Sequence, residues 1–309
     1  MRQFTLTNST GDRLTILEHG ARMQSWAVRL GNSQREIILG YSDTQQYVQD
    51  NAYLGAVVGP YANRIGGGVL PLGQQRYQLQ QNEGRHHLHG GSIGLHHLQW
   101  HCLSQQPSLL VLSCTVPDGQ GGYPGPLHFT LTYQLNADSS LDVTLEARSA
   151  QLTLAGPTLH PYFNLSGTAE PVNQHQLWLN AERYTATDQD KIPTGALLPV
   201  DETAVDFRHC KTLGTVQLDH NLVVSGNIQH TAAILTSPDQ QLRLLVSSDY
   251  PGLQVYSGDY LAAPFTPRQG ICLEPQFYPD APNHSQFPLR LTGPEQPFVA
   301  HIRYHLEKG

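Results

Sequence analysis

The stretch LHFTLTYQL at residues 127–135 has an apolar or aromatic side chain at every odd position. A polar segment, 136–140, follows, and apolar side chains alternate again from Leu141 to Ala147. Period-two alternation on both sides of a polar turn predicts an antiparallel hairpin with one buried face. Residues 298–306 repeat the pattern near the C-terminus, so another strand of this type is expected there.

Shorter alternating or apolar segments, separated by Gly, Pro and Asp turns, occur along the rest of the chain. They predict strands at Arg13–Leu17, Trp26–Leu30, Ala232–Thr236, Leu242–Val246 and Leu253–Ser257. Helical periodicity is weak, and the best candidate for a short helix is Thr44–Tyr53. No linker, charge run or repeat divides the sequence. We therefore expect an all-β, antiparallel sandwich or barrel with few short helices, in a single domain spanning 1–309.

The composition argues against several classes of protein. Charged residues make up only 14% and the formal net charge is −7, whereas nucleic-acid binding requires clustered Lys or Arg. No apolar run approaches the ~20 residues of a membrane span, and the first residues show no secretory signal. The chain has four cysteines without close pairing, which we interpret as buried thiols rather than a disulfide scaffold; they are Cys102, Cys114, Cys210 and Cys272. A cytoplasmic protein is expected.

The 16 histidines are densest in the segment HHLHGG at residues 86–91. If this segment is a strand, His87 and His89 share a face, and that spacing can provide two metal ligands. The adjacent glycines and polar neighbours favour a loop instead, and Glu83 is the only nearby carboxylate. We expect no metal, with a site on these histidines as the alternative.

A glycine-rich segment, 59–68, contains Asn63 and Arg64. It lacks the Lys-Ser/Thr pair of a phosphate-binding P-loop. On such a loop the Asn63 amide and the Arg64 guanidinium can present fixed donors to the oxygen atoms of a neutral ligand. A structural salt bridge is the alternative role for Arg64.

Three further segments place an ionisable group in an apolar or turn-like setting. His160 is either a packed core residue or a proton donor with a tuned pKa. Glu274 follows an apolar run, and a carboxylate buried there must be paired, hydrogen-bonded or protonated. If His160 and Glu274 meet across the sheet, they form an acid/base couple. Asp219 can accept a ligand hydroxyl or close an Asx turn.

Taken in order, these segments resemble the galactose mutarotase (aldose 1-epimerase) family, from about residue 5 to the C-terminus. Each segment is short, but nine of them occur in the family's order and approximate spacing. The last one, PDAPNHSQFP, is the most specific. The matching segments are Tyr61–Ile65, Leu88–Gly91, Gly122–Gly125, His160–Leu165, Asp206–Arg208, Asp219–Asn221, Gly252–Gly258, Leu273–Gln276 and Pro279–Pro288.

The resemblance implies a large antiparallel β-sandwich with a sugar site in a cleft on one sheet. It implies interconversion of the α and β anomers of an aldose such as glucose or galactose, without cofactor or metal. At the matching positions, Glu274 would be the general base and His160 the general acid. Other residues would hold the hydroxyls and ring oxygen, namely Asn63, Arg64, His89, Asp219 and Gln254, with Tyr162 as part of the pocket wall.

Three positions depart from the family pattern. Leu159 stands where Asn often precedes the catalytic histidine, Pro275 where Thr often follows the glutamate, and Gln217-Leu218 where Gly-Tyr often precedes Asp-His-Asn. None of these changes removes a proton-transfer group. They bear instead on the choice between galactose, glucose and other aldoses.

Three alternative functions remain open at this point. A hexose 6-phosphate 1-epimerase would need a basic pocket for a dianion, drawn from Arg64, Arg85 and Arg208. A non-catalytic sugar-binding module would keep the cleft without needing an acid/base pair. A metal-dependent β-sandwich enzyme would use His87 and His89. The expected partner is a small monosaccharide, with no nucleic acid and no membrane, and the expected assembly is a monomer or homodimer.

Overall fold

The computed structural model describes residues 1–309, and strands make up most of its regular structure. In chain order the strands are β1 Gln3–Thr7, β2 Arg13–Leu17, β3 Met23–Leu30, β4 Ser33–Glu36, β5 Val57–Val58, β6 Arg64–Ile65, β7 Val69–Leu72, β8 Gln75–Gln78, β9 His87–Leu88, β10 His101–Gln105, β11 Leu109–Val116, β12 Leu127–Leu135, β13 Ser140–Arg148, β14 Thr158–Leu159, β15 Tyr162–Phe163, β16 Gln176–Leu179, β17 Arg183–Thr187, β18 Pro193–Pro199, β19 Lys211–Thr212, β20 Asp219–Val223, β21 Thr231–Thr236, β22 Leu242–Ser248, β23 Gly252–Tyr256, β24 Ile271–Gln276 and β25 Phe298–Lys308.

The helices are short 3₁₀ segments, none of which has the length and apolar character needed to cross a membrane. The segment predicted as a helix at Thr44–Tyr53 is a 3₁₀ helix only from Thr44 to Gln49. It ends because Asp50 turns inward, where its carboxylate accepts hydrogen bonds from the Leu54 backbone N–H and the Arg22 guanidinium. The other 3₁₀ helices are Gly66–Gly68, Leu95–His97, Gln120–Gly122, Val172–Gln174 and Ala281–Asn283.

The larger sheet has nine antiparallel strands in the order β10-β11-β12-β13-β25-β22-β21-β16-β19. The predicted hairpin is confirmed as β12 and β13, with Leu131 paired to Leu145 in register. The C-terminal strand β25 lies between β13 and β22 at the centre of the sheet. In β12 the odd-numbered apolar residues are buried, as the period-two pattern predicts.

A six-stranded antiparallel sheet, ordered β15-β24-β23-β20-β17-β18, packs against the nine-stranded sheet. The Tyr304 hydroxyl of β25 donates a hydrogen bond to the Leu273 carbonyl of β24 across a distance of 3.3 Å. The rings of Tyr304 and Phe163 also lie 5.3 Å apart between the sheets. One apolar cluster draws residues from Phe4 to Leu306, and the protein is a large antiparallel β-sandwich, as predicted.

The prediction for the cysteines is only partly correct. All four are free thiols, and Cys114 and Cys272 are buried. Cys210 is exposed and Cys102 is half-buried, so the interpretation of all four as buried thiols is wrong. Both exceptions belong to the two edges of the nine-stranded sheet: Cys102 is in edge strand β10, and Cys210 directly precedes edge strand β19.

Candidate active site

A cleft of about 430 Å³ opens on the six-stranded sheet. The structure brings every one of the predicted site residues to its lining, although they come from six separate parts of the sequence. These residues are Asn63, Arg64, His89, His160, Tyr162, Asp219, Gln254 and Glu274.

Three neighbouring strands, β24, β23 and β20, form the floor of the cleft. Glu274 in β24 lies opposite Gln254 in β23. On its other side β23 pairs with β20, the strand that carries Asp219. The Gln254 side-chain amide donates a hydrogen bond of 2.8 Å to Asp219 Oδ1. Antiparallel pairing thus places two carboxyls and an amide, far apart in sequence, on one small surface.

His160 lies between β14 and β15, next to the floor. Its Nε2 is 3.6 Å from Glu274 Oε1, and the two residues are 5% and 1% exposed. Burial lowers the pKa of His160 to about 4. Burial, with the nearby negative charge of Asp219, raises the pKa of Glu274 well above its ordinary value. The second carboxyl oxygen of Glu274 has no hydrogen-bond partner within the protein.

His89 is held in one tautomer by the backbone of Asn63. The Asn63 N–H donates a hydrogen bond of 3.1 Å to His89 Nδ1, so the neutral ring carries its proton on Nε2. Burial and the neighbouring His160 keep the pKa of His89 well below its ordinary value. Both residues have left-handed backbones, with φ of 64° at Asn63 and 51° at His89, a region that Asn and His adopt more readily than most residues other than glycine. His89 is a neutral hydrogen-bond donor, because burial keeps its ring uncharged and the bond from the Asn63 N–H leaves the ring proton on Nε2.

Arg64 makes the salt bridge that the sequence left open as its alternative role, and it also lies at the cleft. Its Nε and Nη2 donate to the two carboxylate oxygens of Glu83 at 2.6 Å each, in a bidentate ion pair. The same side chain lines the cleft and is 17% exposed. Glu83 therefore fixes the plane of the guanidinium, while the residue keeps contact with the cleft.

The other histidines of segment 86–91 do not support the metal alternative. His87 is buried, with Nδ1 bonded to the Gln80 carbonyl at 2.6 Å and Nε2 to the Tyr123 hydroxyl at 2.9 Å. Both ring nitrogens are already in use, so His87 is a satisfied core residue. The one group of side chains close enough to share a metal ion is His160, Cys272 and Glu274, whose ligand atoms lie within 4.8 Å of one another.

The sequence predicted Tyr162 as part of the pocket wall but missed most of the aromatic side chains around it. The end of β23 and the segments around residues 41–53 and 260–265 supply them, and they are Tyr41, Tyr53, Tyr256, Tyr260 and Phe265. Those in loops carry no local chemical signature, because an aromatic residue in a loop has no period that indicates what it faces. Cys272 was missed as a neighbour of His160, although its position two residues before Glu274 was a usable signal.

A buried carboxyl and imidazole under a polar, aromatic-walled cleft of a β-sandwich form an arrangement suited to acid/base chemistry on a small polar ligand. The family model for aldose 1-epimerase matches residues 2–305 of the chain. The chain belongs to the aldose 1-epimerase family.

Individual relatives agree with this assignment. The aldose 1-epimerase of Escherichia coli is 32% identical over 93% of this chain and 89% of its own. The galactose mutarotase of Homo sapiens is 33% identical over 93% of this chain and 88% of its own. The crystal structure of a GalM/aldose epimerase homologue from C. elegans matches with a TM-score of 0.94 and 27% identity, covering 99% of both chains. The predicted family and fold are confirmed.

Proposed function

We propose that this protein is an aldose 1-epimerase, an isomerase that interconverts the α and β anomers of a free hexose such as glucose or galactose. The observation that supports this most directly is the buried Glu274–His160 pair on the cleft floor, with Oε1 and Nε2 3.6 Å apart. Relatives named aldose 1-epimerase and galactose mutarotase, aligned over 93% of the chain, support the same reaction.

The reaction requires two proton transfers to open the sugar ring. Glu274 takes the proton of the C1 hydroxyl, and His160 gives its Nε2 proton to the ring oxygen as the bond from C1 to that oxygen breaks. Rotation about C1–C2 then turns the other face of the aldehyde to the C5 hydroxyl. Closure runs with the roles exchanged, so the pair ends each turnover with the protons it began with.

Burial changes the expected resting charges of this pair. Glu274 as base and His160 as acid require a carboxylate and an imidazolium, but the pKa of His160 is lowered and that of Glu274 is raised, so both shifts favour the neutral forms. Transfer of the Glu274 proton to His160 gives the arrangement that opens the ring. We expect kcat/KM to fall on the acid side when the pair gains a second proton, near the lowered pKa of His160 at about 4, and on the alkaline side when it loses its only proton, at the raised pKa of Glu274. A narrow optimum set by an ordinary histidine pKa would contradict this.

The remaining cleft residues would hold the sugar. The neutral His89 Nε2–H and the Arg64 guanidinium are donors suited to the ring oxygen as negative charge develops there. Asp219 and Gln254, already bonded to each other, can accept and donate to hydroxyls. Asn63 and Tyr162 complete the set, with the Tyr162 ring 5.1 Å from that of His160.

The alternatives fit the cleft less well. Arg64 is the one Arg or Lys among the lining residues and is paired with Glu83. Lys191, beside the cleft, lies 3.7 Å from Asp219, so each cation near a bound phosphate already faces a carboxylate. A module that only binds sugar has no need of Glu274 and His160, whose burial costs stability.

We also propose that residues 1–309 act as one domain, as a monomer or homodimer, in the cytoplasm. In that compartment the four free thiols would stay reduced.

Polarimetry tests the proposal. Fresh α-D-glucose and α-D-galactose are followed in dilute buffer with and without protein, beside the Glu274→Gln and His160→Asn variants. Faster decay to the same final rotation, lost in both variants, is the expected result. If neither sugar responds, glucose 6-phosphate is assayed in the same way. Acceleration with glucose 6-phosphate would mean that the substrate is a phosphosugar and not a free hexose. No acceleration with any of the three sugars would mean that the protein only binds sugar.

A further inference from the structure

The imidazole of His160 lies between two side chains of the same strand, β24. Its Nε2 is 3.6 Å from Glu274 Oε1, and its Nδ1 is 3.5 Å from Cys272 Sγ. Cys272 and Glu274 are two residues apart, so both project from the same face of the strand. Cys272 is completely buried, and its sulfur is the only side-chain hydrogen-bond partner of Nδ1.

The proposed reaction uses only one of the two ring nitrogens. When Nε2 gives its proton to the sugar ring oxygen, the neutral imidazole that remains keeps its proton on Nδ1. Enzymes that transfer protons through an imidazole commonly hold the other nitrogen with a third group, which fixes the ring's orientation and tautomer. In this cleft, the sulfur of Cys272 occupies the place of that third group.

We propose that Cys272 is a positioning residue for His160: its sulfur accepts the Nδ1–H hydrogen bond and keeps Nε2 directed at Glu274 and the sugar ring oxygen. This inference rests on the proposed function, because it takes His160 as the acid. Burial raises the pKa of the Cys272 thiol well above its ordinary value, and the nearby Glu274 adds to this, so the sulfur is uncharged. An uncharged acceptor orients the ring without stabilising its cationic form as a carboxylate would, which agrees with the low pKa of His160.

Kinetics of three cysteine variants test the role. Cys272→Ala removes the acceptor and is expected to lower kcat about 10- to 100-fold with KM nearly unchanged, because a loosened ring is misplaced for proton transfer. Cys272→Ser keeps a small acceptor and should recover part of the loss. Cys114→Ala removes a buried thiol from β11 in the other sheet and should leave kcat unchanged. Wild-type kcat in Cys272→Ala, or a serine variant no better than alanine, would overturn the proposal.

Nitrogen NMR of the ¹⁵N-histidine-labelled protein separates this inference from the proposed function. The His160 signals are identified by their absence in His160→Asn and are recorded above its pKa, where the ring is neutral. A proton on Nδ1 supports the proposal, whereas a proton on Nε2 with bare Nδ1 would mean that the thiol donates instead, and would overturn it. The measurement does not depend on turnover, so inactivity in polarimetry would count against the proposed function alone.

Discussion

Two strands, one from each sheet, use burial in different ways. In β13, buried positions alternate with partly exposed ones from Val143 onward, whereas all six positions of β24 are buried, including Glu274 and Gln276. An alternating strand packs one face and stabilises the fold through apolar burial. A buried carboxyl or amide instead costs stability. Strand β13 of the nine-stranded sheet therefore adds apolar burial, whereas β24 of the six-stranded sheet carries costly buried polar groups where the cleft lies.

The largest expected effect comes from removing the carboxyl in β24. Glu274→Gln should lower kcat by about 10²–10⁴-fold, because the base that takes the C1 hydroxyl proton is lost. The free energy of unfolding should stay the same or increase, since one carboxyl oxygen has no hydrogen-bond partner within the protein to lose. Polarimetry and thermal unfolding measure the two quantities. A folded variant with near wild-type turnover would show that β24 does not carry the base.

The same contrast explains how much the sequence could predict. Alternation located β12 and β13, and β22 contains its predicted segment, because one-sided burial leaves a period of two in the sequence. The segment predicted inside β21 is an apolar run without that period. The β23 prediction missed by one residue, since that strand is buried on both faces through most of its length. The cleft residues were found from short motifs. Apart from Tyr162, the aromatic wall was not, because segments distant in sequence supply it and only the fold brings them together.

A mutation in β13 should give the opposite result to the one in β24. Leu145 is 1% exposed and pairs with Leu131 and Ala300 in the middle of the nine-stranded sheet. Leu145→Ala should lower the free energy of unfolding by about 2–5 kcal/mol through lost burial and a cavity. Well below its melting temperature, kcat per folded molecule should stay at the wild-type value. Denaturant unfolding and polarimetry on one preparation measure both, and a large fall in kcat would mean that the two sheets are not separable in this way.

Substitution of Arg64 tests whether an ion pair at the cleft behaves differently from an ion pair on the nine-stranded sheet. Arg64→Ala should reduce kcat/KM by about 10- to 100-fold, the equivalent of one charge-assisted hydrogen bond to the sugar. Glu83→Gln keeps the guanidinium but weakens the bidentate ion pair that holds it, so a smaller loss of kcat/KM is expected. Initial rates over a range of sugar concentrations give both values. Wild-type binding and turnover in Arg64→Ala would leave the pair with a purely structural role.

The smallest effect is expected at the matching pair on the nine-stranded sheet. Arg303 donates to both carboxylate oxygens of Asp142, from Nε at 2.5 Å and Nη2 at 2.8 Å, which is the same fork that Arg64 makes with Glu83. The Arg303 and Asp142 side chains are 46% and 35% exposed, so water competes for the charges. Arg303→Gln should therefore lower the free energy of unfolding by only about 0.2–1 kcal/mol, with no change in turnover. Added salt should shrink this difference further by screening the pair, which denaturant unfolding at low and high ionic strength would reveal. If Arg303→Gln reduced turnover as much as Arg64→Ala is expected to, the loss would come from breaking a bidentate Arg–carboxylate pair anywhere in the fold. The position of Arg64 at the cleft would then not be the cause.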